Sequence, residues 1–203
     1  FIRRDRVTAM FGMVGLAECV NHLMELQGKT GRYGHDEEAD ALGVEIMDEI
    51  DAFNKAHVNP YCEATDGHFL LHAQVRKKIE LHTISPGTRI PIGEEPEELI
   101  DHLRHCEKFH RYFPSGTGDI FPIDTTVHKN HDFLLDVIKG SFREGIRYLS
   151  FYAADSDVVR ITGYLVKRSE IEKLERGENV LQDTTALGMG AKHNSRVFQR
   201  KVR

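Results

Sequence analysis

The alternation of hydrophobic and polar positions divides most of the chain into amphipathic helices and short apolar strands. Apolar residues recur at the three- and four-residue spacing of a helix face in four segments: 8–27, 35–57, 97–109 and 132–145. β-Branched and aromatic residues are concentrated in four shorter segments: 69–75, 79–82, 120–123 and 147–153. Helices that alternate with short apolar strands predict a mixed α/β chain, in which helices cover a sheet or a barrel wall.

Local signals set several of these boundaries. Gly28 is a natural stop for the first helix, and the acidic run after His35 favours the start of the second, where the helix dipole stabilises negative charge. Pro60 ends that second helix, and Gly145 ends the fourth. Near the C-terminus, Ser169 is predicted to cap a short charged helix that runs to about residue 176. The tail beyond it is polar.

The segment 158–166, with the sequence VVRITGYLV, has the composition of a strand interrupted by Gly163. Glycine weakens a strand, and it commonly marks a bulge, a tight bend or a place where another group approaches the backbone closely. Taken by itself, Gly163 therefore fits a purely structural role as well as a functional one.

The residues around Gly163 resemble the C-terminal signature of glycyl radical enzymes, in which arginine, an apolar residue and a small residue precede Gly-Tyr. Arg160 and Tyr164 occupy the corresponding positions on either side. The family's glycine carries a stable backbone radical, and the resemblance makes Gly163 the matching residue. Because a Cα radical is planar and delocalised into both flanking amides, glycine, which has no Cβ to clash, suits it.

The resemblance covers essentially all 203 residues. Residues 11–18 (FGMVGLAE) resemble a glycine-containing helix start in anaerobic ribonucleotide reductases, and residues 112–119 (YFPSGTGD) fall where those enzymes have a Gly-Thr-rich active-site loop. The latter loop, residues 85–96 and residues 163–169 are similar to the YjjI-type glycine radical enzymes. The fold implied is the C-terminal part of a ten-stranded α/β barrel, with helices outside and the glycine loop inside. Residues 1–150 would belong to the barrel, and residues 151–203 to a glycyl radical domain with its radical loop at 158–166 and a C-terminal tail.

The resemblance also implies a mechanism. A separate radical-SAM activating enzyme, which carries an iron–sulfur cluster and uses S-adenosylmethionine, would install the radical, so no tightly bound cofactor is expected in this chain. The glycyl radical would then oxidise a cysteine that lies far upstream in the family, and the resulting thiyl radical would attack a small-molecule substrate. A stand-alone glycyl radical carrier that complements a partner enzyme is the alternative, and a homodimer is left open.

Five residues are candidates for the pocket that faces Gly163. They are Cys62, Tyr112, Ser115, Thr117 and Asp119. The last four lie on the glycine-rich loop 112–119, whose hydroxyl groups suit close approach by a substrate. Cys62 lies too near Gly163 in sequence to match the family's thiyl cysteine, so it is expected to be a secondary thiol of the site or a buried core residue.

Composition excludes several classes of function. The net charge of −5 and the pI near 6.2 argue against a nucleic-acid partner, and no apolar run approaches the ~20 residues of a membrane span. The 3 cysteines are widely spaced, which favours a reducing cytoplasm over a disulfide framework, and Cys19 is expected to be an inert buried thiol.

The 12 histidines are scattered, and the nearest cluster is His102, His105 and His110. Surface or hydrogen-bonding roles are expected for these three, and no metal site is predicted. The four-cysteine zinc site of anaerobic ribonucleotide reductases is missing before Gly163, which argues against ribonucleotide reduction.

Overall fold

The computed structural model describes residues 3–73, 84–153, 157–161, 164–182 and 185–187. The helices within them are α1 (Leu16–Leu26), α2 (Glu37–Ala56), α3 (Leu99–His110), α4 (His131–Glu144) and α5 (Arg168–Glu175). The strands are β1 (Met10–Met13), β2 (Leu70–Ala73), β3 (Phe121–Ile123), β4 (Phe151–Ala153), β5 (Val158–Ile161), β6 (Tyr164–Lys167), β7 (Val180–Gln182) and β8 (Thr185–Leu187). The predicted strand 79–82 lies outside the described residues, as does Gly163.

Two pairs of parallel strands are linked through helices. Strand β1 pairs with β2, and α1 and α2 lie between them in the chain; β3 pairs with β4, and α4 lies between them. Helical crossovers between parallel neighbours are typical of α/β folds, because a tight turn cannot return the chain in the same direction. No closed barrel forms among the described residues, so the ten-stranded barrel stays a prediction.

The predicted first helix is wrong over its first two turns. Residues 10–13 form the parallel strand β1, and α1 begins only at Leu16. Gly15 makes the change of direction, because its φ of 83° lies in the left-handed region that favours glycine. Its N–H donates to the carbonyl of Ser85 at 2.7 Å. The glycine-containing segment 11–18 is therefore a strand followed by a helix, and pairing with β2, which lies far along the chain, decides this.

The other helices agree closely with prediction. The Asp36 carboxylate caps α2 by accepting hydrogen bonds from the N–H groups of Glu38 and Ala39, at 3.0 and 3.3 Å. Gly145 ends α4 with a φ of 109°. Ser169 is not the cap of α5, however, because it already lies in the first turn, and its hydroxyl and N–H both donate to the Asp157 carboxylate.

The strand predicted over 147–153 is confined to Phe151–Ala153. Arg147 is held by helix α3 and the loop after it: its N–H donates to Nδ1 of His110 at 3.0 Å, and its guanidinium donates to the carbonyl of Phe113 at 2.8 Å. Because the backbone N–H of Arg147 is bonded to His110, this residue does not pair with β3, and the strand begins only at Phe151.

Helix α3 contributes to both clusters of buried apolar residues in the described chain. Phe109 packs with residues of α1, α2 and β2, whereas Leu103 and Cys106 pack with Phe121 and Ile146. Helix α3 is therefore the central element of the molecule. Cys19, expected to be buried, is exposed on α1. Within the described residues, the helices are too short or too polar to span a bilayer.

Candidate functional site

The residues on either side of Gly163 form an antiparallel strand pair. Strands β5 and β6 pair from Val158 opposite Lys167 to Ile161 opposite Tyr164, and Arg160 lies opposite Leu165. The motif residues Arg160 and Tyr164 thus belong to the two strands that lead into and out of the glycine. Gly163 itself lies outside the described residues, so its burial in the interior remains a prediction.

Asp157 joins the start of β5 to the start of α5. Its backbone carbonyl accepts the N–H of Arg168 at 2.8 Å, and its carboxylate accepts the N–H of Ser169 at 3.0 Å together with the Ser169 hydroxyl. The hydroxyl and N–H of Ser169 stabilise the charged form and lower the pKa of Asp157. Negative charge at this position also suits the N-terminus of a helix. The base of the strand pair is therefore fixed by one exposed carboxylate.

In the loop 112–119, the side chain of Tyr112 contacts helix α2 and that of Ser115 is exposed. The Tyr112 ring is part of the larger apolar cluster, and its hydroxyl donates to Asp48 of α2 at 2.6 Å. Burial, followed by the hydrogen bond to Asp48, raises the pKa of Tyr112. Ser115 is exposed to solvent. Tyr112 thus holds the loop on α2, whereas Ser115 faces solvent.

Thr117 is buried against His110 at the end of α3. Nδ1 of His110 accepts the N–H of Arg147 at 3.0 Å and that of Thr117 at 3.4 Å, so the ring proton lies on Nε2 and is donated to the Thr117 hydroxyl at 3.0 Å. Burial, followed by the charge of Arg147, lowers the pKa of His110 to about 4. Gly116 closes over this ring with a φ of 77°, and a Cβ added there would lie 2.4 Å from Nδ1. His110 is therefore a neutral, buried support for the loop.

Asp119 brings together two side chains of α3. One carboxylate oxygen, Oδ2, lies 3.0 Å from Nε2 of His102 and 3.5 Å from the sulfur of Cys106. The other, Oδ1, accepts the N–H of Ile120 at 2.8 Å. All three side chains are buried. A carboxylate, an imidazole and a thiol meet here out of contact with water.

Asp40 of α2 is the second buried carboxylate that contacts α3. It accepts hydrogen bonds from Nδ1 of His105 at 2.9 Å, from Nζ of Lys108 at 2.8 Å and from the N–H of Gly34 at 2.8 Å. Burial alone would raise the pKa of Asp40, but the hydrogen bonds from His105 and Lys108 outweigh it and lower the pKa. Asp40 therefore remains ionised and clamps α2 to α3.

The segments 85–96 and 112–119, which carry much of the family resemblance, touch each other. The guanidinium of the buried Arg89 donates to the carbonyl of Gly118. On the preceding residue, the carbonyl of Thr88 accepts the hydroxyl of the buried Tyr33 at 2.8 Å. The two segments, which precede and follow α3 in the chain, are thus joined by a hydrogen bond.

Among the residues that the structure describes, the candidate pocket residues contact different partners. Cys62 is buried in its own loop, where its N–H donates to the carbonyl of Asn59 at 3.1 Å. Tyr112, Thr117 and Asp119 are also buried, and their side chains contact Asp48, His110 and His102, respectively. Because Gly163 lies outside the described residues, a pocket shared with it stays a prediction.

Sequence reasoning missed the buried polar residues of α3. His102, His105 and His110 are fully buried rather than on the surface, and the hydrogen-bonding role expected of them is confirmed. The sequence did not indicate that Asp40 bonds to His105, or that Cys106 and His102 contact the same carboxylate. The available signal was the spacing of His102, His105, Cys106 and Phe109, which repeats on one helix face in the manner of a core stripe.

Comparison with known proteins gives a consistent result. A sequence model of the family described as "Glycyl radical enzyme YjjI-like" matches residues 1–203. A protein of Haemophilus influenzae, named only as uncharacterized, is 42% identical over an alignment of 205 residues, which covers 100% of this chain and 40% of that protein. The uncharacterized protein YjjI of Escherichia coli K12 is 36% identical over 202 residues, which are 100% of this chain and 38% of that protein.

This chain spans about two-fifths of the length of these relatives. No solved structure matches it significantly. Because the family model covers the whole sequence, including the helices, the 112–119 loop and the Arg160–Tyr164 motif, the chain belongs to the YjjI-like glycyl radical enzyme family.

Proposed function

We propose that this chain is the radical-storing part of a glycyl radical enzyme and that the radical resides on the Cα atom of Gly163. The observation that carries the proposal is the family match over residues 1–203, which includes the motif from Arg160 to Tyr164. The pairing of β5 with β6 agrees with it, because Arg160 and Tyr164 of the motif lie on these two adjacent strands. Glycine is the residue whose Cα can become planar without a steric clash.

The chemistry comprises four hydrogen-atom transfers. A radical-SAM activating enzyme, with its iron–sulfur cluster and S-adenosylmethionine, removes one hydrogen atom from Gly163. The glycyl radical then takes the hydrogen atom of a cysteine S–H in the enzyme's upstream part, which restores the glycine and leaves a thiyl radical. The thiyl radical abstracts a hydrogen atom from a small-molecule substrate. The cysteine S–H formed in this way then returns a hydrogen atom to the product radical, which regenerates the thiyl radical.

Activation requires the glycine to reach a second protein, so the element that carries it must open at low cost. The contacts described for the base of the strand pair fit this requirement. Asp157 is an exposed residue, and the helix that it meets, α5, has no buried residue. Exposed polar contacts of this kind are individually weak, so the strand pair and α5 would open together at low cost during activation.

A stand-alone carrier would need mainly the strand pair and its surroundings. The match of the family model to the helical region as well as to the motif favours the enzyme over the carrier. The acidic net charge of −5 agrees with a metabolite substrate rather than a nucleic acid. The three free cysteines fit a reducing cytoplasm.

The proposal is tested by anaerobic activation with the cognate activating enzyme, followed by electron paramagnetic resonance and then exposure to air. We expect an organic radical signal and, after oxygen adds to the Cα radical, chain cleavage at Gly163 that releases a fragment beginning near Tyr164. Gly163→Ala is the matched control, and it should give neither the signal nor the fragment. An identical fragment from Gly163→Ala, or no radical signal from activated wild-type protein, would contradict the assignment.

A further inference from the structure

We propose that His102, Cys106 and Asp119 form a binding site for a transition-metal ion of the Zn²⁺ type, which fastens α3 to the 112–119 loop. Their ligand atoms, one from each residue, all lie within 4.8 Å of one another. Two of the three come from a single helix at a spacing of four residues, which places them on one face. The third comes from the loop that leaves that helix and enters β3.

The distances between ligand atoms suit a single ion. Zinc bonds of about 2.0–2.1 Å to nitrogen, 2.0–2.2 Å to oxygen and 2.3 Å to sulfur place neighbouring ligands of a tetrahedron about 3.3–3.6 Å apart. Oδ2 of Asp119 lies 3.0 Å from Nε2 of His102 and 3.5 Å from Sγ of Cys106. The third separation, between Nε2 of His102 and Sγ of Cys106, is at most 4.8 Å. These two atoms would therefore approach each other by up to about 1.2 Å when an ion binds, and a water molecule would take the fourth position.

The surroundings of Asp119 and His102 orient them for this purpose. The N–H of Ile120 donates to Oδ1 of Asp119 at 2.8 Å, which directs the other oxygen toward the histidine and the cysteine. The ring of Phe121 packs edge-on against His102, with centroids 4.7 Å apart, and fixes the plane of the imidazole. Outer contacts of this kind hold metal ligands in place before the ion arrives.

The donor set selects the class of ion. One thiolate and one carboxylate supply two negative charges, which balance a divalent cation, and the imidazole adds a neutral donor. Sulfur and imidazole nitrogen prefer zinc, cobalt and similar metals over magnesium or calcium, which take oxygen ligands. When no ion is bound, the His102 imidazole and the Cys106 thiol donate hydrogen bonds to Asp119. The same three side chains therefore contact one another in the metal-free and the metal-bound protein.

Burial indicates a structural role for this ion. The relative exposures of His102, Cys106 and Asp119 are 1%, 5% and 2%, so the ion would be enclosed by protein rather than open to solvent. The same loop contains Gly118, whose carbonyl accepts the Arg89 guanidinium. An ion bound to Asp119 would therefore stiffen the contact between segments 85–96 and 112–119. This role is independent of the radical on Gly163.

The experiment is a Co²⁺ and Zn²⁺ titration of the purified, chelator-treated 203-residue chain under reducing conditions. We expect one equivalent of Co²⁺ to give the intense visible bands of a tetrahedral site and a thiolate-to-cobalt charge-transfer band in the near ultraviolet, both abolished by added Zn²⁺. Metal affinity should fall by more than about 100-fold in each of three ligand variants, Cys106→Ser, His102→Gln and Asp119→Asn. This loss exceeds the one expected when a residue that only contacts a metal ligand is replaced.

The matched control is the double variant Cys19→Ser/Cys62→Ser, which leaves Cys106 as the sole thiol of the chain. Retention of the charge-transfer band in this variant supports Cys106 as the ligand even if a ligand variant fails to fold. The proposal is overturned if wild-type protein gives no such band, or if the band survives in folded Cys106→Ser. Either result would leave the three residues as a hydrogen-bonded core cluster.

Discussion

Replacement of Asp40 by alanine tests whether the clamp between α2 and α3 holds the centre of the molecule. The substitution removes an ionised, buried acceptor and leaves three donors without it: His105, Lys108 and the N–H of Gly34. The relative exposures of Asp40 and His105 are 4% and 2%, so water does not replace the lost contacts readily. Lys108 is partly exposed and regains some hydration.

The expected cost follows from these contacts. Hydrogen bonds to a charged group contribute about 1.5–3 kcal/mol each, and loss of one partner of a buried ion pair costs about 3–5 kcal/mol. Because Lys108 recovers part of its solvation, we expect a loss of about 3 kcal/mol in the free energy of unfolding. For a chain of this size, each kcal/mol lowers the melting temperature by about 2–4 °C, which gives a decrease of about 6–12 °C.

Asp51→Ala is the matched control, because it removes a carboxylate from the same helix. Asp51 pairs with Lys55 at 2.5 Å, one turn away, and Lys55 is exposed. Such a pair contributes about 0.3–0.5 kcal/mol, and the gain in helix propensity from Asp to Ala is common to both variants. Thermal and urea unfolding, followed by circular dichroism at neutral pH, measure the difference between the two.

The pH dependence supplies a second criterion. The pKa of Asp40 is lowered in the folded state, so its stabilisation is present above the unfolded-state pKa and is lost as pH falls through the folded value. The gap between Asp40→Ala and wild type should therefore narrow in acid. A gap no larger than that of Asp51→Ala at neutral pH, or one that does not change on acidification, would refute the clamp.

Three further predictions concern other groups. The His110 pKa is lowered from 6.5 to about 4, so the free energy of unfolding should fall as pH decreases from about 6.5 to about 4. His110→Gln should reduce this dependence of the free energy of unfolding on pH, and an unchanged dependence would exclude His110 as its source. Asp157→Ala should accelerate amide hydrogen exchange at the start of α5, because the Ser169 N–H loses its acceptor, whereas Glu178→Ala, which removes another exposed pair, should not. A thiol reagent should label Cys19 alone in the native chain and all three cysteines after denaturation; rapid native labelling of a buried cysteine would contradict the packing of α3 or of the 59–68 loop.

Local chemistry was sufficient to predict most of the helices and the family motif. Helices α2 and α4 follow from their apolar stripes and from end signals, such as the carboxylate of Asp36 and the left-handed conformation at Gly145. The Gly163 motif could likewise be recognised from neighbouring residues, because the proposed backbone radical would restrict the residue type directly. These features depend on interactions within a few residues, which a linear pattern records.

Tertiary structure decided which polar residues become buried partners and where β1 begins. Asp40 and His105 are 65 residues apart in sequence, and His102 and Asp119 are 17 apart, so no local pattern reveals either pair. The apolar spacing of residues 8–27 continued through Gly15, but the backbone of residues 10–13 found partners in β2 and became a strand. A histidine at a core-facing position has the same local sequence whether it is solvated or paired. Its role depends on which carboxylate the fold places beside it.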